Sequence, residues 1–229
     1  MKKVKITELN YLIKECCQKQ DMNETHAQWM ADVYLRASYR MSGHHDLHSL
    51  PGRLKNLKSG RLNSQPQISR TAEFQALEVY DGDNGPGEIG SYYITLRSME
   101  IADIHGISLV SIKNSNHFLA STPFIDMAAE KGYLSMIFSS AGIAMGVDKS
   151  PRIIGNGPMG FAARGVENNL LLDICLAYAS YGKLRKLTRN GEDVPEYWGR
   201  DEDGDYTSDP GEIINGGIPL PIGEHKGFS

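Results

Sequence analysis

Apolar residues recur at helical spacing from the start of the chain. After Thr7, a residue type that caps helices, they fall at Leu9, Leu12, Ile13, Cys16 and Cys17, which form one face of an amphipathic helix. Asn23 can cap a second helix, whose apolar face is carried by Ala27, Met30, Ala31, Tyr34 and Ala37. A basic stretch from Arg53 towards Gly60 predicts a third. From Phe74 the texture changes: Phe74 to Tyr80 predicts a strand, closed by the turn-rich Asp81-Gly82-Asp83-Asn84-Gly85-Pro86-Gly87. A helix is then expected from Tyr92 to His105, a buried strand from Ile107 to Ile112, a helix from Pro123 to Lys131 and a strand from Leu134 to Phe138. Met159 to Ala163 and Leu170 to Cys175 predict two strands joined by the Gly165 to Asn169 turn, with a helix ending near Arg189 after them. Asn190 to Gly217 is polar and rich in Gly and Asp, the texture of a long surface excursion. The fold class is therefore α/β or α+β, with a helical domain over 1–72 and a mixed domain over 73–229.

Composition narrows the function. A chain of 229 residues, 40% hydrophobic and 23% charged, can bury a core in one or two domains. A formal net charge of -4 with interleaved bases gives no field for a phosphate backbone, so no nucleic-acid partner is expected. Glu8, Asn10, Lys14 and Glu15 interrupt the apolar residues after Lys2, Lys3 and Lys5, so neither a signal-peptide core nor a membrane association is expected, and the cytoplasm is the expected location. Cys16, Cys17 and Cys175 cannot make a disulfide framework, which suits a reducing compartment.

Four segments carry candidate chemistry. Gly43-His44-His45-Asp46-Leu47-His48 holds three histidines and a carboxylate, which leaves three readings open: a polar turn, a proton-transfer site, or a metal-dependent enzyme centred on His44, His45 and His48. No Cys-x-x-Cys or His-Glu-x-x-His spacing supports the metal, so no metal site is assigned. His117, in Asn114-Ser115-Asn116-His117-Phe118, leaves a predicted strand where α/β proteins place ligands; it is either a turn residue or a proton carrier. Gly155-Asn156-Gly157-Pro158-Met159-Gly160 satisfies the spacing of a dinucleotide fingerprint, but a strand is expected behind it and Pro158 lacks a backbone donor, so a Rossmann unit is not expected. Asp173 stands in the apolar run Leu170-Leu171-Leu172-Asp173-Ile174-Cys175, where a carboxylate needs a partner, either a structural hydrogen bond or a cofactor. Near the end, Gly223-Glu224-His225-Lys226-Gly227 offers a cationic tip suited to phosphate or carboxylate.

Taken in order, these segments resemble the malate/L-lactate/ureidoglycolate dehydrogenase family, which includes 2,3-diketo-L-gulonate reductase. The most specific pieces are Asn114 to Phe118, Gly155 with Pro158, Leu172-Asp173, Gly182-Lys183, Asp201 to Pro210, and Leu220-Pro221 with Gly223 and Lys226-Gly227. The resemblance implies a non-Rossmann nicotinamide-binding domain on a large mixed sheet, a smaller helical domain, and a homodimer. It implies reduction of a 2-oxo acid to a 2-hydroxy acid, or the reverse, with NAD or NADP as cofactor. His45 falls on the family's proton donor and His117 on its second active-site histidine; Asn169, Leu170, Leu171, Leu172, Asp173, Ile174, Cys175, His225 and Lys226 fall on cofactor-binding segments. His44 and Asp46 replace a serine and a glycine, and Ser49 replaces the arginine that holds the substrate carboxylate, a task Arg53 can take over from one helical turn away. Gly155-Asn156-Gly157-Pro158 stands for Gly-Thr-Asn-Pro, and Ser139 for an asparagine. Family members continue past Lys226-Gly227, so a C-terminally truncated and inactive homologue is the alternative expectation.

Overall fold

The computed structural model describes residues 3–40, 45–146 and 151–223. The chain divides into two compact units, one of Met1–Ser135 with Ala162–Leu171, the other of Met136–Phe161 with Leu172–Ser229. The division falls elsewhere than the expected boundary at residue 72. The reason lies in the packing of the first unit, where the second helix of the chain lies against two later ones.

That unit begins with α1 (Ile6–Gln18) and α2 (Glu24–Tyr39). Thr7 lies inside α1 rather than capping it, and Lys5 at the cap makes no side-chain hydrogen bond; Asn23 caps α2 as expected, accepting from the His26 N–H at 2.8 Å. α2 buries Ala27, Met30, Ala31, Val33, Tyr34 and Ala37. After α3 (Leu50–Lys58), Phe74 to Tyr80 is not one strand. Gln75 takes φ 51, and this left-handed residue breaks the run into a hairpin, β1 (Ser69–Phe74) antiparallel to β2 (Leu77–Asp81). α4 (Gly87–His105) then crosses to β3 (Leu109–Lys113), which pairs parallel with β2, Tyr80 opposite Ile112. Ile107 and Leu109, expected in a buried strand, are 71% and 64% exposed. α5 (Thr122–Glu130) follows, and α2 packs on both α4 and α5.

Next come β4 (Ser135–Phe138), β5 (Met159–Ala163) and β6 (Leu170–Ile174). Among the described residues hydrogen bonding joins β1-β2-β3 and β4-β5-β6. The glycine-rich segment 155–160 runs into β5 rather than into a helix, so it presents no helix N-terminus to a pyrophosphate. A Cβ on Gly155 would stand 2.4 Å from the Ala141 carbonyl oxygen, so the missing side chain serves a backbone contact.

In the second unit α6 (Tyr181–Asn190) is capped by Ser180 and ends at the left-handed Gly191. The expected surface excursion over 190–217 is folded: β7 (Gly199–Arg200), α7 (Pro210–Ile214) and β8 (Ile218–Pro219) close over Leu184, Val194 and Ile213, with β7 antiparallel to β8. Arg152 ties this element down by donating to the carbonyls of Ile214 and Gly217. The few apolar residues that do this are too irregularly spaced to show a period.

Candidate active site

The site forms where β3 ends. Residues 114–119 leave the strand in a tightly held loop in which two non-glycine residues, Asn114 and Leu119, take φ 49 and 74. Left-handed leucine costs roughly 1–3 kcal/mol and persists only where its surroundings impose it. Here they do. The Asn116 amide donates to the Gly85 carbonyl at 2.9 Å and to Asn84 Oδ1 at 3.1 Å. The first residue of α4 fits against the loop because it has no side chain: a Cβ on Gly87 would lie 2.0 Å from the Asn116 oxygen and 2.6 Å from the His117 oxygen. The bend at Leu119 turns its N–H back onto His117 Nδ1 at 3.0 Å. With Nδ1 accepting that bond, a neutral His117 carries its proton on Nε2.

The other half of the site comes from the segment between α2 and α3. The rings of His45 and His117 stack, with centroids 4.9 Å apart and planes 15° from parallel. Asp46 beside it is buried and begins a 3-10 turn over Leu47–Ser49, its Oδ1 accepting from the His48 N–H at 2.9 Å and lying 2.7 Å from His48 Nδ1. The Leu47 N–H donates to Ser38 Oγ at the end of α2. Two segments that are 72 positions apart in sequence thus bring one imidazole each to a common face.

Beneath the stack lies a buried polar group. Glu88, fully buried at the start of α4, accepts through Oε1 from the Tyr34 hydroxyl at 3.0 Å and from Arg53 Nε at 2.9 Å. Arg53 also donates from Nη2 to the His117 carbonyl at 2.5 Å. Burial raises the Glu88 carboxyl above the usual carboxylate range, and the Arg53 charge and the Tyr34 hydroxyl pull against that rise. Burial likewise raises the Tyr34 phenol, with the neighbouring Glu88 adding to it.

The expected site residues have distinct fates. Ser49 donates to the Asp46 carbonyl at 2.7 Å and closes the turn. Arg53, expected on the substrate carboxylate, is on a helix as that expectation required, but its guanidinium is held by Glu88 and the His117 carbonyl. The Asn169 amide donates to Asp126, which Arg40 also holds. On β6 Leu170, Leu172 and Asp173 are exposed, while Leu171 and Ile174, with Cys175 just after the strand, are half-buried. The burial expected of Asp173 is corrected: the residue is exposed on β6. His44, His225 and Lys226 lie outside the described residues. Among the described residues no group of three or more His, Cys, Asp or Glu is arranged to hold a metal. His48 projects outward, with a side chain 87% exposed. Glu88, Tyr34, Gly87 and Leu119 escaped sequence reasoning. The small residues around one acid in Gly87-Glu88-Ile89-Gly90 were the available signal, since a helix start so bare must meet another backbone closely.

Comparison with known proteins decides the family. The sequence model of malate/L-lactate dehydrogenase matches residues 4–229. This chain belongs to the malate/L-lactate dehydrogenase family. Among its relatives, malate dehydrogenase of Pyrococcus abyssi is 30% identical over 213 residues, which cover 90% of this chain and 59% of that protein. A Delta(1)-pyrroline-2-carboxylate/Delta(1)-piperideine-2-carboxylate reductase of Pseudomonas putida is 29% identical over 98% of this chain and 67% of its own. Among solved structures, sulfolactate dehydrogenase from Methanocaldococcus jannaschii superposes with a TM-score of 0.90 at 27% identity, covering 98% of this chain and 65% of that one. This member of the family therefore spans about three-fifths of the length of the first of these relatives. Among the described residues no helix is long and apolar enough to cross a membrane.

Proposed function

We propose that the chain takes part in nicotinamide-dependent interconversion of a 2-oxo acid and a 2-hydroxy acid, with His45 delivering the proton and His117 orienting the substrate. The observation that carries this reading is the stacked His45–His117 pair. Two positive rings at a 4.9 Å separation would repel, so the pair favours a single charge. With the Leu119 N–H on Nδ1, His117 is left its Nε2–H to donate, and the proton to be transferred is assigned to His45. His117 then presents Nε2–H to a carbonyl oxygen, and His45 protonates the alkoxide that develops there. Family membership supports the reaction class, because its named relatives include malate and sulfolactate dehydrogenases.

NADH or NADPH, when bound, would supply the hydride. The residues of β6 fit such a group in chemical type: exposed Leu170 and Leu172 offer an apolar face to a ring, and exposed Asp173 an acceptor for a ribose hydroxyl. His225 and Lys226 are proposed to meet its phosphates. Ser49 and His44 border the substrate, and the working form is a cytoplasmic homodimer.

The test is cofactor oxidation. Purified protein is offered NADH and NADPH with pyruvate, oxaloacetate, glyoxylate and sugar-derived 2-oxo acids, and a thermal-shift titration with each cofactor runs alongside. Turnover that falls by roughly 10²–10⁴-fold in His117→Ala is expected. Absence of both turnover and a thermal shift would sink the proposal.

A further inference from the structure

We propose that Glu88, Arg53 and Tyr34 form a buried positioning device that fixes the His117 ring through its main chain, an inference that rests on the catalytic reading of His117 above. Arg53 sits between the two halves of the device. One edge of its planar guanidinium meets Glu88 Oε1 at 2.9 Å, and Nη2 meets the His117 carbonyl at 2.5 Å. A lysine ammonium has no second rigid edge with which to hold both acceptors in one plane. The Arg53 side chain is 10% exposed and that of Glu88 is fully buried, so the pair lies away from water. The Tyr34 hydroxyl fixes the carboxylate from α2 at 3.0 Å. Glu88 Oε2 is buried, with no hydrogen-bond partner among the described residues.

An ion pair so deep is weak evidence for stability, because well-packed apolar residues do as well or better in its place. What this pair does hold is the carbonyl of the residue that stacks on His45. Two further contacts act on the same residue, the backbone of α4 at Gly87 on one side and the Leu119 N–H at Nδ1, and the Asn116 side-chain amide anchors the residue before it to the Gly85 carbonyl. With its carbonyl, its ring nitrogen and the side chain of the preceding Asn116 all held, the ring keeps one tautomer and one tilt. Arg53 is thus a positioning residue. Its Nε and Nη2 are engaged inside the protein rather than on a substrate carboxylate.

Histidine ring 15N NMR of the intact chain tests this without requiring turnover. In the wild type His117 should show an unprotonated Nδ1 and a protonated Nε2. Arg53→Lys should shift the ring towards a mixture of tautomers, with Tyr34→Phe giving a smaller change in the same direction. Tyr34→Phe also serves if the arginine variant fails to fold. An unchanged His117 tautomer in both variants overturns the proposal. Where turnover is present, Arg53→Lys should lower kcat roughly 10- to 100-fold with the KM for the 2-oxo acid within about twofold. A KM raised tenfold with the tautomer intact assigns Arg53 to the substrate instead and also overturns it. A tautomer change in a protein that never turns over defeats the catalytic reading and leaves the positioning contact standing.

Discussion

Glu78 on β2 shows how a single buried charge is stabilised in this chain. It is 2% exposed and accepts from Arg97 Nε and Nη2 at 2.8 Å, from Arg70 Nη1 at 2.7 Å and from the Tyr80 hydroxyl at 2.6 Å. These donors, Arg97 first, hold its carboxyl down at about 2, against the usual 4.5. A lowered carboxyl favours the fold above the unfolded value, and that contribution disappears as pH falls through the folded one. Urea unfolding of wild type and Glu78→Gln should therefore differ by a constant amount above about pH 5 and converge between about 4.5 and 2. A gap that is undiminished at pH 2 would contradict the assignment. At this scale the sequence was informative where chemistry depends on local position. His117 was visible as a histidine leaving a strand. The task of Arg53 was not, because its partner Glu88 lies 35 positions away and no spacing rule connects an arginine on one helix to an acid starting another. Asp173 misled for the opposite reason: an apolar run suggests burial, but only the folded strand shows which side of it faces out.

At the scale of elements, close approach dominates. Gly87→Ala would gain at most about 1 kcal/mol of helix propensity. The added carbon overlaps the backbone of Asn116 and His117, and relieving such a clash costs roughly 1–3 kcal/mol or more. The clash should win: the variant should melt at lower temperature than wild type and lose the His45–His117 stack, read from ring-current shifts. In the second unit Ile213 is fully buried with Leu184 and Val194, and Ile213→Ala should lower stability by about 2–5 kcal/mol in urea unfolding. A loss below about 0.5 kcal/mol would mean that 190–217 is the loose excursion its composition suggests. Helices with a clear apolar face were legible, α2 most of all, since Asn23 and the run from Ala27 to Ala37 agree. The hairpin was not, because its turn is made by Gln75-Ala76 rather than by the glycine or asparagine that such turns usually use.

For the whole molecule, family membership came from the order of several weak motifs, none of which decides alone. Position in that order also pointed to His45, whose neighbours in sequence gave no way to choose among a turn, a metal ligand and a proton donor. What the sequence could not convey is that His45 and His117 form one stacked unit. Groups that act as a unit lose activity non-additively when removed. The most direct measurement is therefore the rate of NADH- or NADPH-dependent 2-oxo acid reduction for wild type, His45→Gln, His117→Gln and the double variant, assayed side by side. If the pair acts as one, each single variant should lose about 10²–10⁴-fold and the double should fall no further than the weaker single. Two losses that multiply in the double variant would show that the histidines act independently and would contradict the paired mechanism.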